Sequence, residues 1–158
     1  MKVDFIDPFL SAAFTVLEMF TGERPQRGQL AIRNSTFTTQ QVTIVAGVNG
    51  VIEGVSLYGM SLESAQKIAG AMMGSQVTEL DDMATSAICE LGNMITGNAT
   101  TLLSQNGYQV DITPPSVIKG PHVEVCTKIP ALVVPVLTPL GNLEINVALE
   151  ENAMRNAA

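Results

Sequence analysis

The run Val42-Thr-Ile-Val-Ala-Gly-Val48-Asn49-Gly50-Val51-Ile-Glu-Gly-Val-Ser-Leu-Tyr58 points to an antiparallel sheet. Gln41–Val48 and Val51–Tyr58 are rich in β-branched residues and stand on either side of Asn49-Gly50. Asn-Gly between two such runs is the strongest short hairpin signal, because both residues accept the positive φ of a tight turn. Upstream, Gln29–Thr38 reads as a strand. Before it, Asp7-Pro8 opens an amphipathic helix with Phe9, Leu10, Ala13, Phe14, Leu17 and Phe20 on one broad face. Asp7 fits the N-cap, Pro8 the first helical position, and Gly22 the end. Downstream, Ser61-Leu-Glu63-Ser starts a second helix that Gly74 closes. A long third helix begins at Thr78 or Asp81 and runs to about Gln105, where Asn106-Gly107 stops it. Gln109–Ile112, His122–Lys128, Leu132–Thr138 and Leu143–Leu149 read as strands, with a turn over Pro139-Leu-Gly141-Asn142. The tail 151–158 reads as a frayed helical end or as disordered.

The two halves look alike. Leu17-Glu18-Met19-Phe20-Thr21-Gly22 aligns with Gly92-Asn93-Met94-Ile95-Thr96-Gly97, and the hairpin Val42–Tyr58 aligns loosely with Leu132–Leu149. Each half is then a helix followed by three antiparallel strands, with the Ser61–Met73 helix as the link. The expected fold is one α+β domain over 1–158, a sheet of about six largely antiparallel strands packed with three helices, in pseudo-repeated halves.

At 158 residues and 46 % hydrophobic the chain can bury one substantial core. Aromatics are 4 % and Trp is missing, so Val, Ile, Leu, Ala and Met must fill it, and the eight Met residues read as core filling. A net charge of −7 argues against a nucleic-acid surface. The N-terminus lacks a basic segment followed by an apolar run, so no signal peptide is expected. The longest apolar stretch, Ile129–Leu137, is broken by Pro130 and Pro135. The expectation is a soluble cytoplasmic protein, with Cys89 and Cys126 as reduced, packed thiols.

The third helix carries the informative chemistry. Ser86, Glu90, Asn93 and Gly97 are spaced three and four apart and share one stripe with no large apolar side chain. A carboxylate and an amide one turn apart, flanked by small residues, can reach into another molecule. The carboxylate can pair with a cation, and the amide can both donate to and accept from water. The plain alternative for such a pair is a solvated helix face. Asn98 lies off the stripe and reads as a surface residue. His122, the single histidine, has no second ligand beside it. Glu79, Asp81 and Asp82 at a helix start are explained by capping and by the helix dipole. No phosphate-cradling loop with a Lys and no nucleophile elbow is present, which removes most enzyme classes. On the internal alignment Thr15 and Glu18 occupy the places of Glu90 and Asn93, so the chain carries one such pair.

Ser86, three residues, Glu90, two residues, Asn93, and Pro115 a little over twenty residues on, with Pro114 alongside, resembles the pattern of the CheC/CheX/FliY family of chemotaxis phosphatases. The contexts Glu90-Leu-Gly-Asn93-Met-Ile-Thr-Gly97-Asn98 and Met60-Ser-Leu-Glu63-Ser-Ala are similar too. The opening Phe5-Ile-Asp7-Pro8-Phe9, the length and the single Glu/Asn pair resemble the CheX branch. The resemblance implies dephosphorylation of a phosphorylated CheY-type response regulator. Asn93 would orient the attacking water, and Glu90 would anchor the regulator's active-site lysine. Ser86 and Pro115 would shape and support the surface. It implies no cofactor or metal of the chain's own, Mg2+ being carried by the regulator, and a homodimer. A second reading is a non-catalytic docking module for a response regulator or flagellar-switch protein. The lifetime of the acyl phosphate separates the two.

Overall fold

The first helix, α1 (Asp7–Thr21), begins without the side-chain cap that Asp7 suggests. Ile6 holds the N-cap position in helical geometry (φ −87°, ψ −31°), and Asp7 is already helical. The cause lies just upstream. A 3-10 turn over Val3–Phe5 feeds straight into the helix, with Ile6 N–H donating to Val3 O at 3.0 Å, and Phe5 and Ile6 are buried. Packing sets the entry angle, and Pro8 sits in the first turn where its missing N–H costs nothing. The structure, a computed structural model, describes residues 3–156.

Three short strands follow α1: β1 (Gln26–Arg27), β2 (Ala31–Arg33) and β3 (Thr36–Thr38). Two long strands come next, β4 (Val42–Gly50) and β5 (Ile52–Met60). After the linking helix α2 (Leu62–Met73) the same order returns. Helix α3 (Asp82–Gln105) precedes β6 (Val110–Ile112), β7 (Ser116–Lys119) and β8 (Glu124–Cys126), then β9 (Ala131–Thr138) and β10 (Gly141–Glu151). A single helical turn, α4 (Ala153–Asn156), ends the described chain. The tail expected to fray from residue 151 instead starts inside β10, where Glu151 pairs with Ile52; residues 157–158 lie outside the described residues.

The halves are intertwined. The main sheet runs β1-β9-β10-β5-β4-β6, with β2 also on β9 and β7 also on β4, and β3 pairs with β8 in a separate two-stranded sheet. Every ladder is antiparallel. The short strands of each half thus flank the long hairpin of the other, and β5 pairs with β10 at the centre. The α+β class and the pseudo-repeat agree with the sequence. The strand count among the described residues is larger, eight in the main sheet and two beside it, against about six expected. Gln29–Thr38 divides into β2 and β3, while β1 and β7 are too short for a period of two to declare itself.

The expected hairpin is β4–β5, but Asn49-Gly50 does not turn it as a tight two-residue loop. β4 and β5 pair from Val42↔Met60 to Val48↔Gly54, while Asn49 and Gly50 continue straight on to pair with Asp111 and Val110 of β6. A third strand claims the residues that a local turn would otherwise use.

Helices α1, α2 and α3 cover one face of the sheet. Ile44, Tyr58, Val134 and Ile145 alternate inward and are buried with Phe9, Leu17, Ile88, Leu91 and Ile95. Each such side chain contributes about 1.5–3 kcal/mol relative to exposure. Methionine fills only part of this core. Met60 is buried, whereas Met19, Met83 and Met154 are 66, 70 and 87 % exposed. The thiols divide likewise: Cys89 is half-buried and Cys126, on the short β8, is exposed rather than packed; both are free. Among the described residues no helix is long and apolar enough to cross a membrane.

Candidate active site on the third helix

Helix α3 is built to bury one side and present the other. Asp81 caps it, its carboxylate accepting from Ala84 N–H at 2.9 Å, and Asp82 lies in the positive first turn. The acidic cluster of Glu79, Asp81 and Asp82 thus contains the cap, and among the described residues no group of three potential ligands is placed to hold a metal ion. Ala84, Ile88, Leu91, Gly92, Ile95, Thr96, Ala99 and Leu103 are buried. Ser86, Glu90 and Asn93 are exposed on the opposite side, as the stripe requires.

Two features hold α3 in place beneath those residues. Gly92, between Glu90 and Asn93, lies directly against Ile44 of β4. One turn after Asn93, Thr96 Oγ1 lies 2.6 Å from Tyr58 Oη, which is 3.2 Å from Ser56 Oγ. Ser56 in turn donates to Ala46 O at 3.4 Å. This buried chain of hydroxyls joins α3 to β5 and β4. Burial pushes the Tyr58 phenol from its ordinary 10.0 up to about 12, more than its hydrogen bonds to Ser56 and Thr96 lower it, so the phenol is neutral.

Across from the stripe stands the segment joining β6 to β7. Ser86, Cys89, Glu90 and Asn93 on the helix side, and Ile112, Thr113, Pro114 and Pro115 on the other, line one open groove of about 520 Å³. All four residues of the sequence pattern, Ser86, Glu90, Asn93 and Pro115, therefore meet in one place. Cys89 Sγ donates to Pro115 O at 3.2 Å and bridges the two walls. Among the described residues no side chain pairs with Glu90 or Asn93, so both groups are available to a partner. The sequence marks Cys89 only as a packed thiol and gives Thr113 no role. Their only signal there is adjacency, Cys89 to Glu90 and Thr113 to the Pro-Pro pair. Asn98 and His122 are exposed and lie outside the groove. A second hollow, about 420 Å³ between the start of α1 and the end of α3, holds none of the pattern residues.

The corresponding place on α1 is occupied differently. Thr15 and Glu18 are exposed, but Thr15 Oγ1 donates to Ser11 O at 3.1 Å and Glu18 faces Arg24 at 3.6 Å.

Known proteins share both the sequence and the architecture. The family model described as chemotaxis phosphatase CheX matches residues 42–137. The CheY-P phosphatase CheX of Thermotoga maritima is 32 % identical over 126 residues, 79 % of this chain and 81 % of that one. The crystal structure of a chemotaxis protein CheX from Desulfovibrio desulfuricans superposes with a TM-score of 0.84 at 27 % identity, covering 94 % of this chain and 100 % of that one. A CheX–CheY–BeF3–Mg2+ complex from Borrelia burgdorferi gives 0.75 at 29 % identity, covering 95 and 100 %. The match over more than half of the chain, on a groove that gathers Ser86, Glu90, Asn93 and Pro115, places this protein in the CheX family of chemotaxis phosphatases.

Proposed function

We propose that the protein hydrolyses the aspartyl phosphate of a phosphorylated CheY-type response regulator, with Asn93 orienting the attacking water and Glu90 anchoring the regulator's lysine. The observation that carries this reading is the convergence of Ser86, Glu90, Asn93 and Pro115 on one groove in which Glu90 and Asn93 have no partner among the described residues. The name of the Thermotoga relative and the CheX–CheY complex from Borrelia support the choice of substrate.

The chemistry asks little of this chain. An acyl phosphate is already activated, and phosphoryl transfer is catalysed mostly by positioning and by charge stabilisation. In this reading α3 docks on the regulator and the Glu90 carboxylate pairs with the regulator's lysine, a charge-assisted contact that fixes register. The Asn93 amide accepts from and donates to a water held in line with the phosphorus. Water oxygen bonds to phosphorus and the phosphorus–oxygen bond to the aspartyl group breaks. The regulator's carboxylate leaves with the bonding pair, and both of the water's protons depart with inorganic phosphate. Mg2+ belongs to the substrate, and the chain brings no cofactor of its own. Ser86 and Pro115 shape the groove without touching the reacting atoms. The same reading puts the reaction in the cytoplasm, where the regulator signals. It includes a homodimer, for which the exposed edge strand β2 offers backbone groups to a second copy.

The test follows phosphate release from a phosphorylated CheY-type regulator with Mg2+, with and without catalytic amounts of this protein. Acceleration at substoichiometric protein supports the reading. Binding without acceleration returns the protein to the docking-module alternative.

A further inference from the structure

We propose that Thr113 is a positioning residue of this site, holding the proline wall of the groove against β4 so that a docking regulator meets a rigid surface. The inference rests on the function proposed above and assigns part of that site to a residue outside the Ser/Glu/Asn/Pro pattern. Thr113 and Gly47 grip each other twice. Thr113 N–H donates to Gly47 O at 3.0 Å, and Gly47 N–H donates to Thr113 Oγ1 at 2.8 Å. The first bond continues the β4–β6 ladder by one step past Val48↔Ile112. The second replaces a backbone acceptor with a hydroxyl at the point where the chain leaves the ladder.

It leaves because Pro114 and Pro115 follow, and neither can donate a backbone hydrogen bond. The wall therefore hangs from few points. Thr113 grips Gly47 on one side, Pro115 O accepts from Cys89 in the middle, and the pairing of Ser116 with Val45 resumes the sheet beyond. Gly47 is fitted to this grip. A Cβ there would stand 2.8 Å from Thr113 Oγ1 and 3.1 Å from its Cγ2. Thr113 is exposed and lines the groove, yet its hydroxyl is committed to Gly47 and not to solvent chemistry. That commitment is what a positioning group shows.

The wall meets the regulator equally in the ground and transition states, while Asn93 stands on α3 and keeps its place. Loosening the wall therefore weakens docking without slowing the chemical step. Thr113→Val removes the acceptor at almost constant volume. It is expected to raise KM for the phosphorylated regulator about fivefold with kcat within about twofold of wild type. Thr113→Ser keeps the acceptor and is expected to restore wild-type KM. Gly47→Ala, at a residue outside the groove, is expected to raise KM as Thr113→Val does, because it acts only through the grip. Kd for the regulator loaded with beryllofluoride and Mg2+ is measured alongside, since it reads docking even where no phosphate is released. A melting-temperature loss with KM and Kd unchanged in Thr113→Val, or a rise as large in Thr113→Ser, overturns the role. Weakened Kd in Thr113→Val and Gly47→Ala with no phosphate release by wild type keeps the wall and discards hydrolysis.

Discussion

Gly92 approaches Ile44 so closely that a Cβ built on it would clash with Ile44 Cγ2. The atom in the way is the branch of a stiff side chain and cannot swing aside cheaply. In an exposed helix, glycine to alanine gains up to about 1 kcal/mol of helix propensity. Here overpacking, about 1–3 kcal/mol, opposes that gain. Gly92→Ala is therefore expected to lower the denaturant midpoint rather than raise it. It should also cut phosphate release, because the displaced segment lies between Glu90 and Asn93. A variant more stable than wild type with full activity would show that helix and strand do not meet this tightly.

Glu90 and Asn93 should separate docking from chemistry. Both are exposed, so removing either is expected to change stability by no more than about 0.5 kcal/mol. Asn93→Ala should lose phosphatase activity by about a hundredfold or more while still binding the regulator, since a mispositioned water forfeits the geometry on which the step depends. Glu90→Ala should instead weaken regulator binding by about tenfold, the worth of one charge-assisted contact. Titration calorimetry and phosphate release on the same samples distinguish the two. Wild-type turnover in Asn93→Ala would remove the amide from the mechanism.

Tyr58 predicts an alkaline signature of the scaffold. Its folded pKa of about 12 lies above the ordinary 10.0, so the folded state keeps a proton that the unfolded chain gives up. Below pH 10 the group leaves stability unchanged. Between pH 10 and 12 stability should fall by up to about 1.4 kcal/mol per pH unit. Tyr58→Phe should lose about 1–2 kcal/mol at neutral pH with the hydrogen bonds to Thr96 and Ser56, and flatten that alkaline slope. Other groups titrating there are common to both proteins, so equal slopes would mean that the phenol is not held neutral by burial.

The legible parts of this molecule are those whose signal is local. The cap at Ser61, the left-handed Gly22 and Gly74, and the stripe on α3 follow from side chains a few residues apart and stand where the pattern puts them, while of the two starts open for α3, Thr78 and Asp81, the structure takes Asp81. Asn49-Gly50 marks the β4–β5 hairpin, which the structure has, but not its turn, because β6, about sixty residues downstream, pairs with both residues and a third strand can override a local turn preference. The groove was half legible. Glu90 and Asn93 share a helix face that the 3.6-residue period reveals, and Pro115 came with the pattern. The Thr113 hydroxyl and the Cys89 thiol meet Gly47 N–H and Pro115 O, backbone groups whose nearness no side-chain pattern encodes.

The pseudo-repeat makes the last prediction. Ser11, Thr15 and Glu18 stand on α1 at the spacing of Ser86, Glu90 and Asn93 on α3. The strand register matches as well: Gly28 N–H donates to Pro135 O at 2.7 Å where Thr113 N–H donates to Gly47 O. The backbone bond is repeated, but the second bond cannot be, because Gly28 has no hydroxyl and Pro135 no N–H. Thr15 is turned onto Ser11 O, and Glu18 puts a carboxylate where Asn93 puts an amide. The first half thus keeps the frame of a site while lacking the amide that Asn93 supplies and the second bond that Thr113 makes. Thr15→Ala and Glu18→Ala are each expected to leave phosphate release within about twofold of wild type and stability within about 0.5 kcal/mol, as for ordinary surface changes. Steady-state phosphate release over a range of regulator concentrations checks this. A tenfold loss in either variant would mean that α1 also engages the regulator, and that the Glu90/Asn93 pair does not act alone.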